Sequence, residues 1–391
     1  MNNDELQVLG TENRNSNNWK WIVVAVCVVL SIVSYLIYNR CSSTDHSLPM
    51  SQEGSTISPA LQYAADSLLN DMLTEIDGLQ GQVIIMNVRT GEILAMAGRE
   101  RNFEGKFQPC QNFAYRQELG ALTMTVSLLV GLESGKAHLS DVVDTGNGVW
   151  QIDDDRIMKD HNWRRGGYGE VTLDRALEIS SNIGISKTIW SLFKGHEQDY
   201  FNKLDSMSFG QPNTIEGIEG LRPSVYSSPK DSDWVNKDIL WSAIGYNQKI
   251  APIQMLTFYN AIANNGKMVK PTLMPGTTEV INEQIARSEN VTLMQQSLEH
   301  VVSQGVGRNA GSNRIKVAGR TGTTQVNEYY EGDNAVSEYQ LAFCGFFPAD
   351  KPQYSMIVSL NKLGLPASSV IMAGNAFHNI VEWMIDNRMI K

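Results

Sequence analysis

The sequence has few of the residues that build metal sites or nucleic-acid surfaces. Its four cysteines include no Cys-x-x-Cys pair and no Cys/His cluster at metal-ligand spacing. The formal net charge is -10 at pH 7 and no Lys/Arg-rich run occurs, which argues against nucleic-acid binding. We therefore predict no metal, no cofactor and no nucleic-acid partner. Cys110 and Cys344 leave two interpretations open, a disulfide in an oxidising compartment or two buried free thiols.

Long hydrophobic runs are also scarce. The segment from Trp21 to Tyr38 contains no charged residue and is near the shortest length of a membrane-spanning helix. Arg14 and Lys20 precede it and Arg40 follows, which favours a cytoplasmic N-terminus. A cleaved signal peptide is the alternative, but no small-residue cleavage pattern follows the run. We predict an uncleaved, single-pass membrane anchor at residues 19–40.

Composition divides the rest of the chain. Residues 1–18 are Asn-rich and polar, which predicts a disordered cytoplasmic tail. Residues 41–57 are rich in Ser, Thr and Pro and predict a flexible tether. Ser58 followed by Pro59 is typical of a helix start, so an ordered domain is predicted over residues 58–391, outside the cytoplasm.

The order of periodic segments predicts an α+β fold. Two apolar runs within residues 82–97 flank Arg89-Thr90-Gly91, which indicates a β-hairpin. Helices are predicted in the middle of the chain, and strands followed by a last helix near its end. The predicted helices cover 122–134, 172–179, 252–263 and 374–389, and the predicted late strands cover 317–324, 338–347 and 354–360. We expect an antiparallel sheet flanked by helices, with an all-helical lobe.

Three short segments carry the functional prediction through their order. Gly120-Ala121-Leu122-Thr123-Met124 is followed about 60 residues later by Ser180-Ser181-Asn182, and about 140 residues after that by Arg320-Thr321-Gly322-Thr323. This order resembles the Ser-x-x-Lys, Ser-x-Asn and Lys-Thr-Gly motifs of penicillin-binding proteins and serine β-lactamases. With further similar segments at 251–255, 261–267 and 345–350, residues 58–391 resemble the transpeptidase domain of class B penicillin-binding proteins.

The first motif lacks its reactive side chains. In that family it supplies a serine nucleophile and a lysine base one helical turn apart. Ala121 and Met124 stand at the two positions here. Alanine has no heteroatom and a thioether is no base, whereas methionine fills the space of a lysine without its charge. The resemblance therefore implies a degenerate site in which no catalytic residue is retained.

The other two motifs imply substrate-binding residues. Ser180 and Asn182 match the second motif, whose asparagine hydrogen-bonds the substrate peptide in the family. Arg320, Thr321, Gly322 and Thr323 match the third with arginine in place of lysine. The resemblance implies that this strand binds the terminal carboxylate of a peptidoglycan stem peptide, which an arginine can hold bidentately. A plain loop between helices and a surface strand with an ion pair are the alternative interpretations.

These predictions together describe a pseudoenzyme of peptidoglycan synthesis, anchored in the inner membrane with its C-terminal domain in the periplasm. Its predicted partners are stem peptide, the bilayer through residues 19–40, and membrane glycan polymerases or division and elongation proteins. An active D,D-transpeptidase or carboxypeptidase with a displaced nucleophile and a non-catalytic adaptor are the alternatives. A lysine follows three residues after three later serines, Ser191, Ser227 and Ser359, which are the candidates for a displaced nucleophile.

Overall fold

The computed structural model describes residues 54–331 and 334–390. The predicted tail at 1–18, the predicted anchor at 19–40 and most of the predicted tether at 41–57 lie outside these residues. Among the residues described, no helix has both the length and the apolar character needed to span a bilayer.

Nine α-helices occur in the described part of the chain. They are α1 Pro59–Glu75, α2 Leu122–Glu133, α3 Leu173–Glu178, α4 Asn182–Phe193, α5 Gln198–Ser206, α6 Ile239–Ser242, α7 Pro252–Ala263, α8 Ser288–Ser303 and α9 Met372–Asp386. The strands are β1 Gly78–Asn87, β2 Ile93–Arg101, β3 Phe107–Pro109, β4 Val142–Asp144, β5 Val149–Gln151, β6 Ile157–Lys159, β7 Glu170–Thr172, β8 Val225–Tyr226, β9 Gln248–Lys249, β10 Met268–Val269, β11 Val280–Asn282, β12 Ala318–Glu331, β13 Asn334–Phe347 and β14 Tyr354–Leu363.

A six-stranded antiparallel sheet organises the domain, with strand order β12-β13-β14-β1-β2-β3. Its centre joins distant parts of the chain, because β1 pairs with β14 and places Val83 opposite Val358. The predicted hairpin is confirmed, since Val83 also faces Ala97 across β1 and β2. Successive side chains of a strand point to opposite faces, so this sheet can cover a core on each side.

Helices cover both faces of the sheet. Phe343, Phe347 and Phe377 form a buried aromatic group where β13 meets α9, in a core that also includes residues of α1. The opposite core is larger and contains α2, α7 and α8, with Leu128 and Leu256 fully or almost fully buried. Burial of this apolar surface is the main force that holds the helices on the sheet. The predicted arrangement of an antiparallel sheet flanked by helices is confirmed.

Several local predictions match and two need correction. Helix α1 begins at Pro59 after Ser58, and the hydroxyl of Thr172 accepts a hydrogen bond from the backbone of Arg175 at the start of α3. The second lobe is not all-helical, because it also contains the two-stranded sheets β4-β7 and β5-β6. Their three-residue strands are too short to show a periodic pattern. Strand β12 also continues to Glu331 rather than ending at 324, where its sequence becomes polar.

Both cysteines of the described domain are buried. Cys110 and Cys344 form no disulfide with each other. Burial raises the pKa of the Cys344 thiol well above its usual value. Of the two interpretations left open by the sequence, a disulfide between these two cysteines is therefore not the one that the structure has.

Candidate functional site

The three motif segments meet at one cleft. Its volume is about 350 Å³. Five of the sequence-predicted residues line it, namely Ala121, Ser180, Asn182, Thr321 and Thr323. The other lining residues come from segments without a recognised motif and are His161, Val306, Ala367, Ser368, Ser369 and Val370. Chain segments separated by about 60 and about 140 residues thus form one wall of the cleft.

The start of α2 carries the two degenerate positions. Ala121 is the N-cap residue of this helix and is half-buried at the cleft. Met124 follows one turn later and is fully buried. Position 121 thus presents a methyl group to the cleft, and position 124 presents a thioether to the core. Neither side chain can attack a carbonyl carbon or accept a proton from a nucleophile.

Arg320 lies behind the cleft wall and is completely buried. Its Nε donates to the carbonyl oxygen of Ala121 at 2.6 Å, and Nη1 donates to the carbonyl oxygen of Leu177 at 2.6 Å. Its Nη2 donates to Sδ of Met124 at 2.7 Å and to Oγ of Ser180 at 3.2 Å. All four partners are neutral groups. The guanidinium therefore links β12, the start of α2 and the end of α3.

Burial in this position disfavours the charged form of the guanidinium and lowers the pKa of Arg320 to about 10. The group is still a cation near neutral pH. The two carbonyl oxygens, the sulfur and the Ser180 hydroxyl accept four hydrogen bonds from the guanidinium, which has five N–H donors, and these bonds offset part of the cost of burying its charge. The predicted contact of Arg320 with a substrate carboxylate stays a prediction.

Residues of the third motif alternate between the two faces of β12, because successive side chains of a strand point in opposite directions. Thr321 and Thr323 point to the cleft, whereas Arg320 and Gly322 point toward α2. A Cβ on Gly322 would lie 2.3 Å from the carbonyl oxygen of Leu119, which no side chain permits. Glycine at 322 therefore allows the strand to touch the start of the helix. On the cleft face, Oγ1 of Thr323 donates to Oγ of Ser369 at 2.7 Å.

The second motif forms the turn between α3 and α4. Ser180 has a φ of 58°, in the left-handed region that only a few non-glycine residues adopt. Ser181 is buried and is the N-cap of α4, with its Oγ accepting from the backbone nitrogen of Gly184 at 2.9 Å. Asn182 donates from Nδ2 to the carbonyl oxygen of Lys159 at 2.9 Å. The middle serine thus stabilises the turn, while its two neighbours face the cleft.

A buried carboxylate supports this turn. Asp160 accepts hydrogen bonds from Oγ of Ser181 at 2.7 Å and from the backbone nitrogen of Ile183 at 3.0 Å. Burial raises the pKa of Asp160, although these hydrogen bonds act in the opposite direction.

The next residue, His161, lines the cleft, and its Nε2 is hydrogen-bonded to the hydroxyl of Tyr168 at 2.8 Å. Burial lowers the pKa of His161. Sequence reasoning missed Asp160 and His161 because they follow a three-residue strand with no motif.

The candidate displaced nucleophiles do not line this cleft. Ser359 is buried in β14, where its Oγ accepts from Gln340 and donates to Gln117. Ser191 is on α4 and donates to the carbonyl oxygen of Thr188 at 2.8 Å. Ser227 is in the segment after β8 and is also absent from the cleft wall. None of these three serines is therefore placed beside Asn182 and Thr321.

The hydroxyls of α2 nearest to Ala121 are also enclosed. Thr123 and Thr125 are both buried. The Oγ1 of Thr125 is hydrogen-bonded to the hydroxyl of Tyr259 at 2.8 Å, and that tyrosine also donates to the carbonyl oxygen of Leu122 at 2.9 Å. These bonds hold the first turns of α2 against α7 and leave the hydroxyls directed into the core.

A carboxylate and imidazole cluster lies between α3 and α8. Asp174, Glu178 and His300 bring their ligand atoms within 4.8 Å of one another. Protein groups already contact the carboxylates, since Ser297 Oγ donates to Asp174 at 2.5 Å and Arg175 Nη1 to Glu178 at 2.5 Å. The cluster thus joins two helices near the cleft.

Comparison with known proteins identifies the family. The family described as "Penicillin binding protein transpeptidase domain" matches residues 81–382. The chain is 26% identical over 325 residues to stage V sporulation protein D of Bacillus subtilis (strain 168), covering 76% of this chain and 47% of that protein. It is 24% identical over 332 residues to the peptidoglycan D,D-transpeptidase FtsI of Escherichia coli (strain K12), covering 82% of this chain and 53% of that protein.

The fold is also similar to solved structures. The apo structure of the transpeptidase domain from Burkholderia pseudomallei penicillin-binding protein 3 matches with a TM-score of 0.72 and 21% identity, covering 87% of this chain and 97% of that one. The chain spans about half the length of the two curated relatives named above. The chain belongs to the penicillin-binding protein transpeptidase domain family.

Proposed function

We propose that this protein is a membrane-anchored pseudo-transpeptidase of cell-wall assembly, which binds a peptidoglycan stem peptide without forming an acyl-enzyme. The observation that carries the proposal is the pair of side chains at the start of α2. Ala121 faces the cleft without a nucleophilic atom, and Met124 is buried without a basic atom. Acyl transfer through a serine requires both an attacking oxygen and a proton acceptor.

The remaining cleft wall supports peptide binding. Asn182, Thr321 and Thr323 offer an amide and two hydroxyls beside a cavity of about 350 Å³. A peptide has a donor and an acceptor at each residue, so such groups can replace the hydrogen bonds that it loses from water. Ser180 and Arg320 complete the predicted binding set behind and beside these residues.

The cellular setting of the proposal comes from the relatives and from the sequence. The relatives include a peptidoglycan D,D-transpeptidase and a sporulation protein, which supports a role in wall synthesis. The apolar segment at 19–40 would hold the domain at the outer face of the inner membrane. Membrane glycan polymerases and division or elongation proteins are the proposed neighbours there.

Binding and turnover of a defined peptide test the proposal. The probe is a synthetic stem pentapeptide that ends in D-Ala-D-Ala, titrated into the protein by calorimetry. We expect saturable binding, and no D-alanine in the supernatant after prolonged incubation. Release of D-alanine that one serine or threonine substitution abolishes would instead establish an active enzyme with a displaced nucleophile. Absence of any binding would favour the adaptor alternative.

A matched pair of variants ties the binding to the cleft. Asn182→Ala should weaken pentapeptide binding about tenfold, because the amide that faces the cleft is lost. Asn309→Ala is the control, since Asn309 is exposed and hydrogen-bonds Asn375 rather than a cleft residue. Equal affinities of the two variants would show that the peptide binds elsewhere.

A further inference from the structure

We propose that Arg320 is a third inactivating substitution, a positioning residue that blocks the space needed for a lysine base and so keeps the cleft from acylating. The inference rests on the proposed function, since it explains how the inactive state is held. It is carried by one observation, that positions 124 and 320 touch. Nη2 of Arg320 lies 2.7 Å from Sδ of Met124, and the guanidinium is completely buried.

The contact leaves no room for a lysine at position 124. Lysine is longer than methionine and ends in a charged amino group with three donors. Its Nζ would enter the region that the guanidinium of Arg320 fills, in which the four protein contacts of Arg320 are between 2.6 and 3.2 Å. The branched guanidinium therefore occupies the volume that Nζ of a lysine at position 124 needs, whereas a lysine at position 320 ends in a single nitrogen and leaves more of that volume free.

The geometry also explains why arginine at position 320 is compatible with methionine at position 124 and not with lysine there. The guanidinium spans the distance between the carbonyl oxygens of Ala121 and Leu177 with two separate donors. A lysine at 320 is a compact point charge on one nitrogen and cannot reproduce both of these bonds. Arg320 with Met124 therefore forms a packed, hydrogen-bonded unit, and restoring lysine at one of the two positions alone breaks it.

The consequence is that reversal at two positions leaves the site inactive and reversal at three restores it. In the restored reaction, the introduced serine oxygen bonds the carbonyl carbon of the β-lactam and the lactam C–N bond breaks. The serine proton passes through the introduced lysine to the lactam nitrogen, so the adduct retains every atom of the penicillin.

The experiment compares covalent labelling by a fluorescent penicillin in two variants of the full chain, A121S/M124K and A121S/M124K/R320K. We expect labelling of the triple variant only, at least tenfold above the double variant at equal time. The control adds R314K to the double variant instead, because Arg314 is paired with Glu382 and Asp386 away from the cleft. Circular dichroism and thermal unfolding establish that each variant is folded.

Equal labelling of the folded double and triple variants would overturn the inference, and so would absence of labelling in a folded triple variant. A second measurement uses the protein without substitutions, so that the inference can still be tested if a variant fails to fold. Phenylglyoxal modification mapped by mass spectrometry should spare Arg320 and label the exposed Arg308. Modification of Arg320 and Arg308 at similar rates in the folded protein would contradict the burial of Arg320 on which the inference rests. Labelling of the unmodified protein by penicillin would contradict the proposed function itself, which distinguishes the two failures.

Discussion

The two faces of β12 differ in what they retain. The face toward α2 carries Arg320 and Gly322, is buried, and touches backbone atoms at close range. The face toward the cleft carries Thr321 and Thr323 and keeps hydroxyl groups along an open cavity. Catalysis would need reactive groups at the start of α2, whereas peptide binding needs only the second face. Under the proposed function, the face toward α2 serves packing alone, whereas the face toward the cleft keeps the polar groups that a peptide can bind.

Stability gives a physical reason for this asymmetry. A serine and a lysine held in a buried site are maintained by function, because desolvation of the amine costs free energy. Substitutions that remove such groups commonly stabilise a protein whose activity is not required. Met124 and Arg320 are in contact behind the cleft wall, so we expect the effects of substitutions at these two positions to be coupled. The side chains that line the cleft are uncharged and make few buried contacts, so they carry no comparable cost of desolvation.

Removal of the Arg320 side chain should have the largest effect on the buried face. Arg320→Ala leaves a cavity and deprives the carbonyl oxygens of Ala121 and Leu177 of their donors. We expect a loss of about 3–5 kcal/mol in the free energy of unfolding, measured by urea denaturation, because the cavity and the two unpaired carbonyl oxygens outweigh the relief of the buried charge. The control Arg314→Ala removes an exposed, ion-paired arginine and should lower stability by only a small fraction of that amount. Similar losses for both variants would show that the buried network contributes nothing special.

The contact of Gly245 with the start of α2 should rank second. Gly245 and Gly166 both have a φ of 96°, so alanine is strained to a similar degree at either position. The two positions differ in the room available for a side chain. A Cβ on Gly245 would lie 1.9 Å from the carbonyl oxygen of Gly120, whereas a Cβ on Gly166 would meet no atom within 4 Å.

Gly245→Ala should therefore lower the free energy of unfolding by about 3 kcal/mol or more, and Gly166→Ala by about 1 kcal/mol. The difference between the two variants measures the steric term alone. A difference below about 0.5 kcal/mol would mean that the helix start can shift away from its neighbours.

The cleft face should show the smallest effect on stability. Thr323 is exposed and its hydroxyl donates to Oγ of Ser369. Thr323→Ala should change the free energy of unfolding by less than about 0.5 kcal/mol. It should weaken binding of the stem pentapeptide by about threefold to tenfold, as measured by calorimetry. A marked loss of stability with unchanged affinity would reverse the assignment of the two faces.

The sequence predicts much of this fold because several of its elements have strong local signals. Pro252 to Ala263 is a helix as predicted, since its apolar positions repeat with the helical period and a proline and an Asn-Gly pair bound it. The polar end of β12 was missed because Asn327 and Glu328 do not alternate with apolar residues. Its strand structure comes from pairing with β13 rather than from local preference.

The site was predicted in part for a similar reason. Motif order singles out Ala121, Asn182 and Thr321, and the structure places all three along one cavity. The position of Arg320 did not follow from the motif, because its partners are backbone carbonyl oxygens and a sulfur on other elements. Such contacts depend on tertiary distances that no short pattern contains.

The central claim is that the cleft does not form an acyl-enzyme, and intact-mass spectrometry after incubation with excess benzylpenicillin tests it most directly. The account predicts an unchanged protein mass, because neither Ala121 nor Met124 can attack or deprotonate. A stoichiometric adduct that maps to one serine or threonine of the folded protein would contradict it.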